Sequence, residues 1–158
     1  MLVKCKCCGE KIDRDMAYKV SKGKTNEYYC TQSEYIRMIT EKAQVKQMKY
    51  DILDMINEIF GREITNTALR GELTEIKKSH SLIKMYNYLL ENKSDISRII
   101  SAKHFETDYS AIRYFSAILK NNLGNYELPK EPIVPKEIEF YEIKQKTRKK
   151  RKCLSDYM

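Results

Sequence analysis

Three cysteines in this chain stand at spacings that suit a metal ion. Cys5 and Cys8 make a C-x-x-C knuckle, and Cys30 follows a Tyr28-Tyr29 pair just before a predicted helix. Structural zinc takes four ligands in a tetrahedron, mostly thiolate or imidazole. The knuckle supplies two ligands at the right bite and Cys30 a third. A helix N-terminus beside Cys30 adds positive dipole, which favours thiolate. Ser33 stands where a fourth cysteine would complete the pattern. Glu34 is the first choice for the missing ligand, since a carboxylate is a legitimate zinc donor. Its competing role is local: Thr31-x-x-Glu34 is a capping-box pattern, in which Glu34 bonds back to the Thr31 N–H. Cys7 is an alternative donor, although it and Cys8 are too close in sequence to reach one metal comfortably. Cys153 reads as a free thiol, and His80 and His104 as structural or exposed residues at helix–loop boundaries.

These donors need elements to position them. Residues 17–20 and 27–30 are short aromatic or β-branched runs around a turn-like stretch, Ser21 to Asn26, and predict a hairpin. Thirty residues bury too little surface to fold alone, so a metal clip is the simplest support. The expected fold is mostly α: a helical bundle with an N-terminal zinc-binding β-hairpin module and an extended C-terminal arm. The expected divisions are 1–34 for knuckle and hairpin, 31–124 for helices, 125–143 for a proline-containing arm and 144–158 for a basic tail.

The helices are read from caps and apolar spacing. The first starts after Thr31 and runs to Gly61, with the polar stretch Lys42 to Tyr50 as either a break or an exposed span. Asn66 caps a second helix carrying Leu69, Leu73 and Ile76, with Gly71 as a weak point. Ser79 to Asn92 predicts a third, and Ser94 a short fourth with Ile96, Ile99 and Ile100. Thr107 caps the last, ending near Gly124. Short loops predict antiparallel neighbours, and Tyr86, Tyr109 and Phe115 are expected to fill the core. Pro129, Pro132 and Pro135 exclude a long helix after that, and Ile138, Phe140 and Ile143 alternate with Glu139 and Glu142 as in an extended arm.

The chain has 158 residues and a net charge of +8. Lys144, Lys146, Arg148, Lys149, Lys150, Arg151 and Lys152 against Asp156 give the tail +6, which leaves +2 for the remainder. The high isoelectric point therefore describes the tail, and those seven cations are the candidate contacts to a partner or a nucleic acid. The start MLVKCKCC has no apolar h-region, no window suits a membrane span, and clustered cysteines suit a reducing bacterial cytoplasm.

The stretch Cys5-Lys6-Cys7-Cys8-Gly9 with Tyr28-Tyr29-Cys30 resembles treble-clef zinc modules, and in particular small zinc proteins of phages and prophages of low-GC Gram-positive bacteria. The Ile, Lys, Asn and Tyr bias agrees with that source. The resemblance covers about the first 35 residues and departs from the family at Ser33. It implies a structural zinc ion. In size, source bias and tyrosine content the chain also resembles anti-CRISPR proteins, which occupy sites on a Cas effector. The stretch from Ile112 to Asn122 is similar to the closing helix motif of primosome-type initiation proteins, but that motif ends in a tryptophan and this chain has none.

No phosphate loop, no H-E-x-x-H and no patterned nucleophile–histidine pair is present in the sequence. The expectation is a non-catalytic binding protein. Its most concrete form is an inhibitor of a host nucleic-acid-processing machine such as Cas9 with its guide RNA. The alternative is a DNA- or RNA-binding accessory protein of phage replication or transcription.

Overall fold

The structure is a computed structural model and describes residues 1–135. Two antiparallel hairpins precede four helices. Strands β1 (Leu2–Lys4) and β2 (Lys11–Asp13) pair with Lys4 opposite Lys11, so the knuckle is the loop of the first hairpin. That hairpin was not foreseen, because three-residue strands leave almost no periodic signal. Strands β3 (Tyr18–Lys22) and β4 (Thr25–Tyr29) pair with Lys22 opposite Thr25. The turn is therefore only Gly23-Lys24, tighter than the stretch expected from sequence, and Gly23 takes φ +62° there. A first-position glycine suits such two-residue hairpin turns.

Helix α1 (Gln32–Phe60) is one continuous element of 29 residues, spanning about 43 Å at 1.5 Å per residue. Its polar middle is an exposed span and not a break. Buried positions begin only at Met48 and continue through Ile52, Met55, Ile56 and Ile59. The first turn instead packs into the hairpin region, where the Tyr35 ring lies 4.9 Å from Tyr29 and 5.6 Å from Tyr18, centroid to centroid. One helix thus carries the hairpin module at one end and the bundle at the other. Gly61, in the left-handed conformation, stops it as a C-cap.

Helix α2 (Thr67–Ser79) is capped by Asn66 and runs through Gly71 without a break. Helix α3 (Leu82–Ser101) is a single helix capped by Ser81, which corrects the expected division at Ser94. Nothing in Glu91 to Asp95 forbids helix. Leu89, Ile96 and Ile100 form one buried stripe across it, and Asn92 donates to the Tyr88 carbonyl at 2.9 Å. Helix α4 (Asp108–Leu123) starts at Thr107 as expected, with Ser110 completing the capping box.

The helix order in space departs from the expected antiparallel run. The close pairs are α1 with α3, α2 with α4 and α3 with α4. Lys93 pairs with Glu58, and Ser97 Oγ donates to the Ile59 carbonyl at 3.1 Å. Tyr86 meets Asp51 further back along both helices, so α1 and α3 run in parallel. The short α2 carries the chain back between them. Between α3 and α4 the expected antiparallel sense holds, with Lys103 Nζ 4.1 Å from the Tyr114 ring centroid and Tyr88 edge-on to Tyr126 just past α4. Tyr86 and Phe115 are buried in the core. Tyr109 is 56% exposed, a correction to its expected place.

Two polar devices fix this packing. Asn87, fully buried in α3, donates to the carbonyls of Ile83 and Ile133 and accepts from the Ile133 N–H at 2.8 Å. It holds the segment after α4 against the bundle much as a neighbouring strand would. Glu72 of α2 receives Lys120 (2.7 Å), Ser116 and Arg113 of α4. Lys120, Ser116 and Arg113 outweigh the desolvation of Glu72 and hold its carboxyl down at about 2. A carboxyl whose folded pKa is depressed stabilises above its unfolded value near 4 and loses that contribution as pH falls through about 2. Allowing for solvent screening of the exposed cations, we expect the wild-type protein to lose about 1–2 kcal/mol more than Glu72→Gln between pH 6 and pH 2. Urea melts at the two pH values check this; parallel losses would show that Glu72 is not a linked group.

Candidate metal centre

The knuckle is built by the backbone. The Cys5 N–H donates to the Glu10 carbonyl at 2.8 Å and the Gly9 N–H to the Cys5 carbonyl at 3.1 Å, closing the loop between β1 and β2. Gly9 turns the chain with φ +81°, a conformation that costs glycine nothing. The Lys6 N–H donates to the Tyr28 carbonyl at 2.9 Å and ties the knuckle to β4. Cys5 and Tyr29 are the two buried apolar side chains of this module, 2% and 1% exposed. Burial first, then the hydrogen bond to Glu27, pushes the Tyr29 hydroxyl up to about 12.

The geometry brings together Cys5, Cys8, Cys30 and Glu34, whose donor atoms all lie within 4.8 Å of one another. The Cys8 and Cys30 sulfurs are 3.4 Å apart, and Cys5 Sγ lies 3.3 Å from Glu34 Oε2. In a tetrahedron with metal–sulfur bonds near 2.3 Å, sulfurs sit roughly 3.8 Å apart and a sulfur and a carboxylate oxygen roughly 3.5 Å. The donor set therefore fits a metal ion with small movements. Cys5 is buried, Cys30 and Glu34 are half-buried and Cys8 is exposed. A hollow of about 470 Å³ lined by Cys8, Cys30, Ser33, Glu34 and Arg37 opens on the solvent side.

Glu34 resolves the competition between ligand and cap by changing the pattern. Thr31 Oγ accepts from the Glu34 N–H at 3.2 Å, so the cap on the helix side is made. The carboxylate does not close the box on Thr31. Oε2 accepts from the Cys30 N–H at 3.1 Å, one residue earlier, and faces Cys5. The Cys5 hydrogen bond is the leading reason its pKa is lowered, against the opposing effect of burial. The N-cap thus aims the carboxylate into the sulfur cluster.

Protons are shared unevenly among the thiols. Burial opposes ionisation of Cys5, but N–H groups of Cys8, Cys7 and Cys30 outweigh it and hold its pKa below the usual value. The Cys8 hydrogen bond, with burial and Cys5, pushes Cys30 up to about 12. A metal must displace these protons, so loading releases acid to solvent. Cys7 stays outside the cluster and is exposed, and burial and the Glu34 carboxylate push its pKa up. Its contribution is through the backbone, its N–H reaching Cys5 Sγ at 3.4 Å. Sequence reasoning weighed the Cys7 thiol and missed this N–H. The signal was the glycine directly after the second cysteine, which lets the knuckle backbone curl around a sulfur.

His80 is the C-cap of α2, and His104 lies between α3 and α4; neither is in the cluster. Cys153 and the basic residues Lys144 to Lys152 lie outside the described residues. Comparison with protein-family models, curated proteins and solved structures found no match. Among the described residues, no helix is long and apolar enough to cross a membrane.

Proposed function

We propose that this is a non-catalytic protein whose N-terminal module is held by a structural zinc ion in a treble-clef-like arrangement. It works by binding and inhibiting a nucleic-acid-processing machine of a bacterial host, in its most concrete form a Cas9-type effector with guide RNA. The observation that carries the reading is the closed donor set. Three thiols and one carboxylate, from the knuckle, the segment after β4 and the first turn of α1, would supply all four ligands of a tetrahedral ion, and a catalytic zinc would keep one position open. Thiolate-rich tetrahedral sites favour zinc over magnesium or calcium. The zinc then serves as scaffolding, which leaves function to surfaces. Helix α1 leaves Ile36, Val45, Tyr50 and Leu53 at 40% exposure or more, spread around the helix and not gathered on one face.

Two measurements test this. Metal analysis of purified protein should give about one equivalent of zinc, strongly reduced by Cys30→Ser; substoichiometric zinc unchanged by that substitution would remove the clip. Guide-directed DNA cleavage by Cas9-type effectors should fall as the protein is titrated in, and unimpaired cleavage across several of them would remove the sharpest form of the reading. A second reading is a DNA- or RNA-binding accessory protein of phage replication or transcription. The basic stretch Lys144 to Lys152 favours it, and the absence of any gel shift at low salt would eliminate it.

A further inference from the structure

The metal module carries a basic and aromatic surface away from the four donors. Tyr28 is half-buried on the face of β4 opposite Tyr29. Tyr29 and its cross-strand neighbour Tyr18 turn inward to Tyr35. Tyr28 pairs with Lys19 across the hairpin, so both side chains share that outer face. Arg14 Cζ lies 6.0 Å over the Tyr28 ring. Beside it, a hollow of about 500 Å³ is lined by Lys4, Lys6, Gly9, Asn26, Glu27 and Tyr28 together with the knuckle. Lys11 stands opposite Lys4 on the same face of the first hairpin.

Residues 1–34 carry seven Lys and Arg against five Asp and Glu, so the acids, Asp15 beside Arg14 among them, cancel only part of this charge. Glu27 is bound by Lys22 at 2.6 Å and by the Tyr29 hydroxyl. Asp13 lies 3.7 Å from the N-terminal ammonium. Glu10 lines the other hollow, beside Arg37. What is left is an aromatic ring next to an open hollow, with Lys4, Lys6, Arg14 and Lys19 around it. A surface lysine cluster attracts any polyanion, but an aromatic platform among the cations selects one with flat, unpaired rings. In a duplex, bases are stacked on each other and are not free to lie on a tyrosine.

We infer that this face binds single-stranded nucleic acid, with an unpaired base stacked on Tyr28 and flanking phosphates on Lys4, Lys6, Arg14 and Lys19. The inference deepens the nucleic-acid reading by giving it a site in the folded module, separate from the basic C-terminal stretch. It relies on the metal clip only to fold that module. RNA and DNA share the recognised chemistry.

The test uses the full-length, metal-loaded chain and short fluorescein-labelled oligo-U, oligo-dT and a duplex, read by anisotropy. Tyr28→Ala is expected to weaken both single strands about tenfold and Tyr28→Phe to leave them unchanged. Arg14→Glu with Lys19→Glu should weaken them at least as much and make the salt dependence shallower by about one unit per cation removed. Binding to duplex should be insensitive to Tyr28→Ala. The tighter of the two single-stranded probes then separates RNA from DNA. A variant with Lys149, Lys150, Arg151 and Lys152 changed to Ala should keep the Tyr28-dependent loss. Zinc content and circular dichroism of each variant separate a collapsed module from a lost contact. Single-strand affinity unchanged in both Tyr28→Ala and the double charge reversal, with zinc retained, would overturn the inference. So would equal loss on duplex and single strands in Tyr28→Ala.

Discussion

Removing the proposed zinc ion, by chelation or by Cys30→Ser, is expected to unfold residues 1–30 and leave the helical bundle standing. The module's buried apolar side chains are Cys5 and Tyr29, and its strands are three to five residues long. Chains below about 40 residues seldom fold without such a clip. A structural zinc ion contributes about 10–16 kcal/mol in zinc-finger peptides near neutral pH. The bundle has a separate core from Met48 to Leu123. Hydrogen exchange read by mass spectrometry should therefore show protection lost in 1–30 and the first turns of α1, and retained in α3 and α4. Cys30→Ser should reproduce the pattern because it removes one donor and leaves Cys8 without its 3.4 Å neighbour. Unchanged protection in 1–30 after complete chelation would show that the hairpins stand without metal.

Phe115→Ala is expected to have the complementary effect, a loss of about 3–5 kcal/mol from the bundle. Phe115 is 1% exposed and meets Phe60 edge-to-face, with ring centroids 5.6 Å apart. It joins the end of α1 to the middle of α4, so truncation opens a cavity where two helices meet and forfeits an aromatic pair. Total stabilities of domains run about 5–15 kcal/mol, so this single change consumes a large share. Urea unfolding followed by circular dichroism at 222 nm would measure it. Zinc content should not change, because the donors lie beyond the exposed span of α1. A loss below about 1 kcal/mol would mean that the core closes around the missing ring. Metal loss in the folded variant would mean that the two ends of α1 are coupled.

The two results together would treat α1 as a mechanical link. Its exposed middle, from Ile36 to Gln47, contributes no fully buried side chain. Helices of this kind persist when anchored at both ends, here by Tyr35 against the hairpin tyrosines and by Met48 onward in the core. The arrangement leaves the hairpin module outside the bundle core, with the Tyr29 face packed on the first turn of α1 and the Tyr28 face turned the other way.

Much of this was legible in the sequence because it is local. C-x-x-C spacing, Thr31, Asn66 and Thr107 as caps, and Gly61 as a stop each depend on groups a few residues apart. Backbone geometry alone relates those groups. The same locality made Glu34 a candidate donor, and the four-donor cluster is the set named from spacing. Sequence failed where the deciding contact was distant. The polar run Glu91 to Asp95 looked like a division between helices, yet Leu89, Ile96 and Ile100 pack as one stripe against neighbours far along the chain. Parallel pairing of α1 with α3 depends on how core volumes fill, which no short window contains. Asn87 reads as a polar residue in a helix until the Ile133 backbone arrives beside it. The Glu34 carboxylate turns from Thr31 to the Cys30 N–H because Cys5, 29 residues away, sits there. The residue types and their spacing thus determined the candidate metal donors and most of the helix starts and stops. Tertiary structure decided how the donors meet and which face of the module gathers Tyr28 with its cations, because those contacts require distant segments to be held together at once.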